Sequence, residues 1–137
     1  METDVKACDG DLAGCRVLVI EDEALVMMLL EDTLTEVGCE VVGRASQSQD
    51  AMEKAGTLSF DVAILDVNLN GHQTLDIADR LVERGIPFVF ATGYGASSFL
   101  ARFEGVPILQ KPFQQYNLEA ALCSARTGER RRVSAQH

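Results

Sequence analysis

The sequence predicts an α/β fold, a doubly wound sheet of five parallel strands covered on both faces by five helices. Short apolar runs alternate along the chain with longer segments whose apolar residues recur every three or four positions. The short runs are apolar at nearly every position, which is typical of strands buried on both sides of a parallel sheet. Strands and helices that alternate in this way form a parallel sheet between two layers of helices.

The first half of the chain contains three predicted strands and two predicted helices. Gly38 follows the first helix and is typical of a helix C-terminal cap. Ser46 and Gln49 have the spacing of a capping box, which would start the second helix. The predicted strands span residues 16–20, 40–43 and 60–65, and the predicted helices span 23–37 and 46–55.

The second half contains two predicted strands and three predicted helices. Asn68, Asn70 and Gly71 are turn-forming residues, so residues 67–72 are predicted as a loop. Gly85 is predicted to end the third helix. The predicted strands span residues 87–91 and 106–110, and the predicted helices span 74–84, 97–103 and 114–125.

The composition fits one folded domain. The chain has 137 residues, 47% of them hydrophobic and 24% charged. We expect a flexible N-terminal extension over residues 1–14, a folded domain over 15–126 and a basic C-terminal tail over 127–137. The N-terminus is polar and no apolar run is long enough to cross a bilayer, so we expect a cytoplasmic protein without membrane contact. The net charge of −9 argues against nucleic acid as a ligand, because phosphate backbones need a basic surface.

Polar and charged side chains follow four of the predicted strands. Glu21 and Asp22 follow the first strand, Asp66 the third, Thr92 the fourth and Lys111 the fifth. Doubly wound sheets bind their ligands outside the carboxyl ends of the strands. We therefore expect these residues, which are far apart in sequence, to meet at one edge of the sheet.

This group of residues suits phosphoryl transfer. Neighbouring carboxylates repel one another, and Mg²⁺, which prefers hard oxygen ligands, would relieve that repulsion. An aspartate can act as a nucleophile and form an aspartyl phosphate, which makes Asp66 the candidate acceptor. Lys111 and the hydroxyl of Thr92 would then bind phosphoryl oxygens. Each residue alone has an ordinary explanation as a cap, a turn residue or a solvated lysine, and the prediction depends on the complete set.

These segments resemble the response-regulator receiver domain over about Arg16 to Arg126. The resemblance is carried by Val-Leu-Val-Ile-Glu-Asp at residues 17–22, Val-Ala-Ile-Leu-Asp at 62–66, Thr92, and Lys-Pro at 111–112. That family has a flavodoxin-like fold, so the resemblance implies the strand order 2-1-3-4-5.

The resemblance also implies a role for each site residue. Asp66 would be the phospho-acceptor, Thr92 the switch hydroxyl and Lys111 the phosphate-pairing lysine, with a cis bond to Pro112. The implied Mg²⁺ ligands are Asp22, Glu21 largely through water, Asp66, and the backbone carbonyl of Asn68.

Residues 87–94, Pro-Phe-Val-Phe-Ala-Thr-Gly-Tyr, are similar to the signature of the atypical single-domain "FAT GUY" receivers. The loop after Asp66 also lacks the usual Met-Pro, and Ile108 stands where typical receivers carry Tyr or Phe. The threonine–aromatic switch is therefore expected to differ, with Tyr94 taking over part of that role. A further hypothesis is that Asn68 and Tyr94 flank the water that attacks the phosphoryl group and so tune the lifetime of the phosphorylated state.

The predicted function is that of a single-domain response regulator in a two-component phosphorelay. A histidine kinase or a histidine phosphotransfer protein would supply the phosphoryl group. About eleven residues follow the last predicted helix, so we expect an unidentified partner protein to receive the signal, or the chain to act as a phosphoryl shuttle or sink. The domain would catalyse only its own phosphorylation and dephosphorylation, and is not expected to be an enzyme otherwise.

Three alternatives belong to other classes. A Mg²⁺-dependent phosphatase with an aspartyl nucleophile usually has a second Asp two residues later, where this chain has Asn68. An FMN-binding protein would need a phosphate-cradling loop after the first strand, where Glu21 and Asp22 would repel the phosphate. A receiver that works by binding alone would not need the carboxylates of Glu21, Asp22 and Asp66. Because all three are present, the sequence argues against this alternative.

Overall fold

One parallel sheet of five strands organises the chain. A computed structural model describes residues 12–93 and 102–135, with side chains as far as residue 127. The strand order is β2-β1-β3-β4-β5, and every neighbouring pair is parallel. The predicted fold class and strand order are therefore confirmed. The strands are β1 Arg16–Ile20, β2 Glu40–Ala45, β3 Val62–Asp66, β4 Phe88–Thr92 and β5 Ile108–Gln110.

Four α-helices of ten or more residues lie in the described part of the chain, not the five predicted. They are α1 Ala24–Glu36, α2 Ser48–Thr57, α3 Leu75–Arg84 and α4 Gln115–Ala135. The helix predicted over residues 97–103 lies mostly outside the described residues, and only its last two residues are described, as part of a 3₁₀ turn. No helix among the described residues is long and apolar enough to span a membrane.

The last helix ends later, and buried residues begin earlier, than the sequence predicts. The predicted end of the last helix near residue 125 is wrong, because α4 runs to Ala135 through most of the segment predicted as a tail. At the other end, Leu12 is 1% exposed and belongs to the hydrophobic core. Packing therefore begins within the segment predicted as an extension, of which residues 1–11 lie outside the described residues.

The core has two halves, one on each face of the sheet. Val17 and Val19 point to one face and Leu18 and Ile20 to the other, since successive strand residues alternate. This alternation explains why both faces of β1 are apolar. The first face packs against Leu30, Leu34, Leu118 and Leu122 of α1 and α4, and the second against Ala51, Ala55, Ile77 and Leu81 of α2 and α3.

Residues 68–73, predicted as part of a loop, form a small hairpin that we call the Asn-Gly hairpin. Residues 68–69 pair with residues 72–73 in antiparallel register. Asn70 has φ 53° and Gly71 has φ 85°, and two successive left-handed residues are what a two-residue type I′ turn requires. The hairpin projects from the end of β3.

One local prediction is wrong and one is confirmed. The N-cap of α2 is Gln47, and it makes no side-chain capping hydrogen bond, so Ser46 and Gln49 do not form a capping box. Gly85 ends α3 in the left-handed conformation with φ 71°, as predicted.

Two leucines of α1 allow a test of the core. We expect Leu34→Ala, at a fully buried position, to lower the free energy of unfolding by about 2–5 kcal/mol, because it leaves a cavity. Leu25→Ala in the same helix, at a side chain 80% exposed, should change it by less than about 0.5 kcal/mol. Urea denaturation of both variants measures this, and equal losses would contradict the assigned burial.

Candidate functional site

The carboxyl ends of four strands bring the predicted residues to one edge of the sheet. Asp66 ends β3 and Thr92 ends β4, while Glu21 and Lys111 come directly after β1 and β5. The backbone N–H of Lys111 donates to the carbonyl of Thr92 over 2.8 Å, which fixes the end of β5 beside the end of β4. A cleft at this edge has a volume of about 530 Å³, and its lining includes Asp22, Asp66, Asn68, Thr92 and Lys111.

Three carboxylates cluster at this edge of the sheet, and two of them, Asp22 and Asp66, line the cleft. One oxygen of each of Glu21, Asp22 and Asp66 lies within 4.8 Å of an oxygen of the other two. Glu21 and Asp66 are buried, with 1% and 5% of their surface exposed. The backbone N–H of Glu23 donates to Oε2 of Glu21 over 3.0 Å, and this hydrogen bond orients the Glu21 side chain. The acidic cluster predicted from the strand ends is therefore present.

The environment of Asp66 disfavours its charged form. Burial, followed by the charge of Glu21, raises the pKa of Asp66 to about 7. Two opposing contacts limit the rise of this pKa: a hydrogen bond from the backbone N–H of Asn68 to Oδ1 over 3.2 Å, and the charge of Lys111. The chain thus orients the carboxylate of Asp66, but these contacts do not fully offset the cost of its negative charge.

Lys111 is the cation of the site. Its Nζ lies 3.0 Å from Oε1 of Glu21 and 3.4 Å from Oδ2 of Asp66, with Oε1 of the exposed Glu23 at 3.9 Å. Burial acts to lower the pKa of Lys111, but the hydrogen bond to Glu21 and the charges of both carboxylates outweigh it and raise that pKa. The Lys111–Pro112 peptide bond is cis.

The donor set fits a magnesium ion. One ammonium faces three clustered carboxylates among the described residues, so negative charge remains to be neutralised. The candidate ligands are all oxygen atoms, which is the set that Mg²⁺ prefers, and the adjoining cleft has room for the waters that it retains.

Sequence reasoning missed two residues that organise the site. The Oγ1 of Thr74, a buried residue, donates to the carbonyl of Asp66 over 2.8 Å. The backbone N–H of Asn70 donates to Oδ2 of Asp22 over 3.0 Å. The only sequence signals were a threonine before a helix and an Asn-Gly pair, and neither signal indicates which distant residue is contacted.

Two other predicted residues are not placed at this site. Tyr94, which was predicted to tune the phosphate lifetime, lies outside the described residues. Ile108 is 46% exposed on β5 and does not line the cleft.

A sheet in this strand order, with acidic residues and a lysine at its carboxyl edge, defines a signalling domain of the receiver class. A family model described as the response regulator receiver domain matches residues 17–123. The chain therefore belongs to the receiver-domain family of two-component response regulators, as the sequence predicted.

Individual relatives agree with this assignment. The chain is 34% identical over 111 residues to the transcriptional regulatory protein PdtaR of Mycobacterium tuberculosis H37Rv, covering 78% of this chain and 54% of that protein. It is 25% identical over 114 residues to the chemotaxis protein CheY of Thermotoga maritima, covering 80% of this chain and 95% of that protein. Among solved structures, SdrG from Sphingomonas melonis Fr1 matches with a TM-score of 0.73 and 38% identity, covering 82% of this chain and 96% of that one.

The chain thus spans about half the length of PdtaR. These comparisons do not name a subgroup, so membership of the "FAT GUY" receivers stays a prediction.

The raised pKa of Asp66 predicts how stability depends on pH in the metal-free protein. Because the folded-state pKa lies above the ordinary value of 3.8, the folded state is stabilised below about pH 4, and that stabilisation is lost as pH rises through about 7. Asp66→Asn removes this titration. In EDTA, we expect the free energy of unfolding of Asp66→Asn to rise relative to that of wild type as the pH increases. The difference should grow by about 2–4 kcal/mol between about pH 4 and pH 8.

Urea denaturation across that pH range measures the difference. Asp76→Asn, at an exposed carboxylate on α3, is the matched control and should follow the wild-type pH profile. A gap between Asp66→Asn and wild type that stays constant with pH would contradict the assigned environment.

Proposed function

We propose that this receiver domain accepts a phosphoryl group on Asp66 from the phosphohistidine of a sensor kinase or of a phosphotransfer protein, in a reaction that requires Mg²⁺. The observation that carries the proposal is the position of the Asp66 carboxylate. It is buried at the end of β3 within the acidic cluster, 3.4 Å from the ammonium of Lys111, and it lines an open cleft. Family membership supports the same chemistry.

The contacts of Asp66 suit a nucleophile. Thr74 holds its backbone carbonyl, the Asn68 N–H holds Oδ1, and Lys111 lies near Oδ2. An oxygen of Asp66 attacks the phosphorus, and the phosphorus–nitrogen bond of the donor breaks as the phosphorus–oxygen bond forms. Because the carboxylate is already oriented, little freedom is lost when the donor arrives.

The charges around the acceptor serve the transferred group. Lys111 exchanges its contact with Asp66 for one with a phosphoryl oxygen, and Thr92, a residue that lines the cleft, donates its hydroxyl to another. Glu21, Asp22, Asp66 and the backbone carbonyl of Asn68 would hold the Mg²⁺, which when bound neutralises negative charge on the incoming phosphoryl group.

The consequence is a switch in protein contacts, or transfer of the phosphoryl group onward to another protein. The kinase or phosphotransfer protein is one partner, and a downstream protein receives the signal. A phosphorylation-driven switch requires that the aspartyl phosphate stabilise one conformation of the domain more than another.

The central test is intact mass after incubation with acetyl phosphate, with and without Mg²⁺. We expect wild type to gain one phosphoryl group only when Mg²⁺ is present, and Asp66→Asn to gain none, because its amide is not a nucleophile for phosphorus. Asp76→Asn, at an exposed carboxylate ten residues later, should react like wild type. Phosphorylation of Asp66→Asn to the wild-type extent would refute Asp66 as the acceptor.

The lifetime hypothesis is tested at Asn68, whose side chain is exposed beside the cleft. Asn68→Ala keeps the backbone N–H and carbonyl but removes the amide that would orient an attacking water. We expect dephosphorylation to slow by about threefold to tenfold, the effect of one lost hydrogen bond. Loss of the phosphorylated mass with time gives the rate, with His72→Ala in the same hairpin as control, and a rate equal to that of wild type would rule the hypothesis out.

A further inference from the structure

We infer that Asn70, in the turn of the Asn-Gly hairpin, is a positioning residue for the Mg²⁺ ligand Asp22. In this role the hairpin orients two carboxylates of the metal site, those of Asp22 and Asp66. The inference rests on the proposed function and deepens it. It states that Asn70 strengthens Mg²⁺ binding by orienting Asp22, although Asn70 is not itself a ligand of the cation.

Asn70 reaches across the end of β1. Its backbone N–H donates to Oδ2 of Asp22 over 3.0 Å, and its side-chain Nδ2 donates to the carbonyl of Ser46 over 2.8 Å. The hairpin starts from β3, while Ser46 directly follows β2, and β1 lies between these two strands in the sheet. Asn70 therefore ties the two neighbouring loops together directly beside Asp22.

The base of the hairpin is tied to the acceptor in the same way. The backbone N–H of Asn68 donates to Oδ1 of Asp66 over 3.2 Å, and Thr74, directly after the hairpin, donates its hydroxyl to the carbonyl of Asp66. One oxygen each of Asp22 and Asp66 is thus bound by a backbone N–H of the hairpin. Oδ2 of Asp66 lies 3.4 Å from Nζ of Lys111, and an oxygen of Asp22 lies within 4.8 Å of an oxygen of Asp66.

The chemistry of this position favours asparagine. Its φ of 53° lies in the left-handed region, which Gly, Asn and Asp adopt at low cost. Glycine would keep the backbone donor but could not bind Ser46, and aspartate could not donate to a carbonyl. Asparagine satisfies the backbone geometry and also anchors the turn, so that the N–H stays directed at Asp22. A ligand oriented in advance loses less conformational freedom when the cation binds.

The test compares Asn70→Gly with His72→Ala by calorimetric titration of the unphosphorylated proteins with MgCl₂. Glycine adopts the required φ without strain, so the fold should be kept. We expect the Mg²⁺ dissociation constant of Asn70→Gly to rise about fivefold, as for the loss of one hydrogen bond. His72 is exposed in the same hairpin, and His72→Ala should bind Mg²⁺ as wild type does.

A second measurement separates positioning from general loosening of the hairpin. If Asn70 acts through the metal ligand, then at saturating Mg²⁺ the rate of phosphorylation by acetyl phosphate should return to the wild-type rate. A rate that stays low at saturating Mg²⁺ would overturn the inference, as would a dissociation constant within twofold of wild type. Failure of wild type itself to bind Mg²⁺ would overturn the proposed function and this inference together, whereas wild-type binding with no effect of Asn70→Gly would overturn the inference alone.

Discussion

Two buried carboxylates share one ammonium at the carboxyl edge of the sheet. Lys111 lies within 3.4 Å of both Glu21 and Asp66, and Asp22 adds a third negative charge nearby. Burial, together with the charge of Glu21, raises the pKa of Asp66. The excess of negative charge suits a divalent cation. Without Lys111 the repulsion would be larger still, and with a second lysine there would be little need for a metal. The charge count of the site thus matches the chemistry that we propose for it.

The topology of the sheet explains how residues so far apart in sequence come together. Parallel strands end at the same edge, so the crossovers that lead to β3, β4 and β5 each bring one more functional residue to the edge where β1 ends. The central strands β1, β3 and β4 pack between helices on both faces and are almost entirely buried, while the polar residues of the site lie at or directly after the strand ends. The apolar sheet therefore holds the polar cluster rigidly, and the Asn-Gly hairpin supplies the few contacts that the strands cannot make.

The order of the strands and the meeting of their polar ends could be predicted, because both depend on patterns of two to five adjacent residues and on general rules of parallel sheets. The contacts of the hairpin could not, since a turn signal such as Asn70-Gly71 fixes the local backbone and not the residue that it faces. The capping box failed for a related reason. The spacing of Ser46 and Gln49 is a local pattern, whereas the helix begins two residues later and the carbonyl of Ser46 binds Asn70.

Helix α1 shows the same limit in packing. Leu29 lies beside Leu30 in a helix whose apolar residues recur every three or four positions, yet Leu29 is 47% exposed and borders the cleft, while Leu30 and Leu34 are fully buried. Periodicity gives the side of a helix that faces the core, but the width of the buried stripe depends on what covers it. Here the cleft opens beside the start of the helix, and the core covers its later turns.

Function and stability compete at Asp66. A carboxylate that ionises only near pH 7 lowers the free energy of unfolding at neutral pH, when no cation is present. The apolar core on both faces of the sheet stabilises the fold and so offsets this loss of free energy of unfolding. A cation that binds the folded site but not the unfolded chain would restore the lost stability by mass action. Under the proposed function, metal binding, ionisation of Asp66 and folding are therefore linked through one carboxylate, and the hairpin residues that orient this carboxylate act on all three.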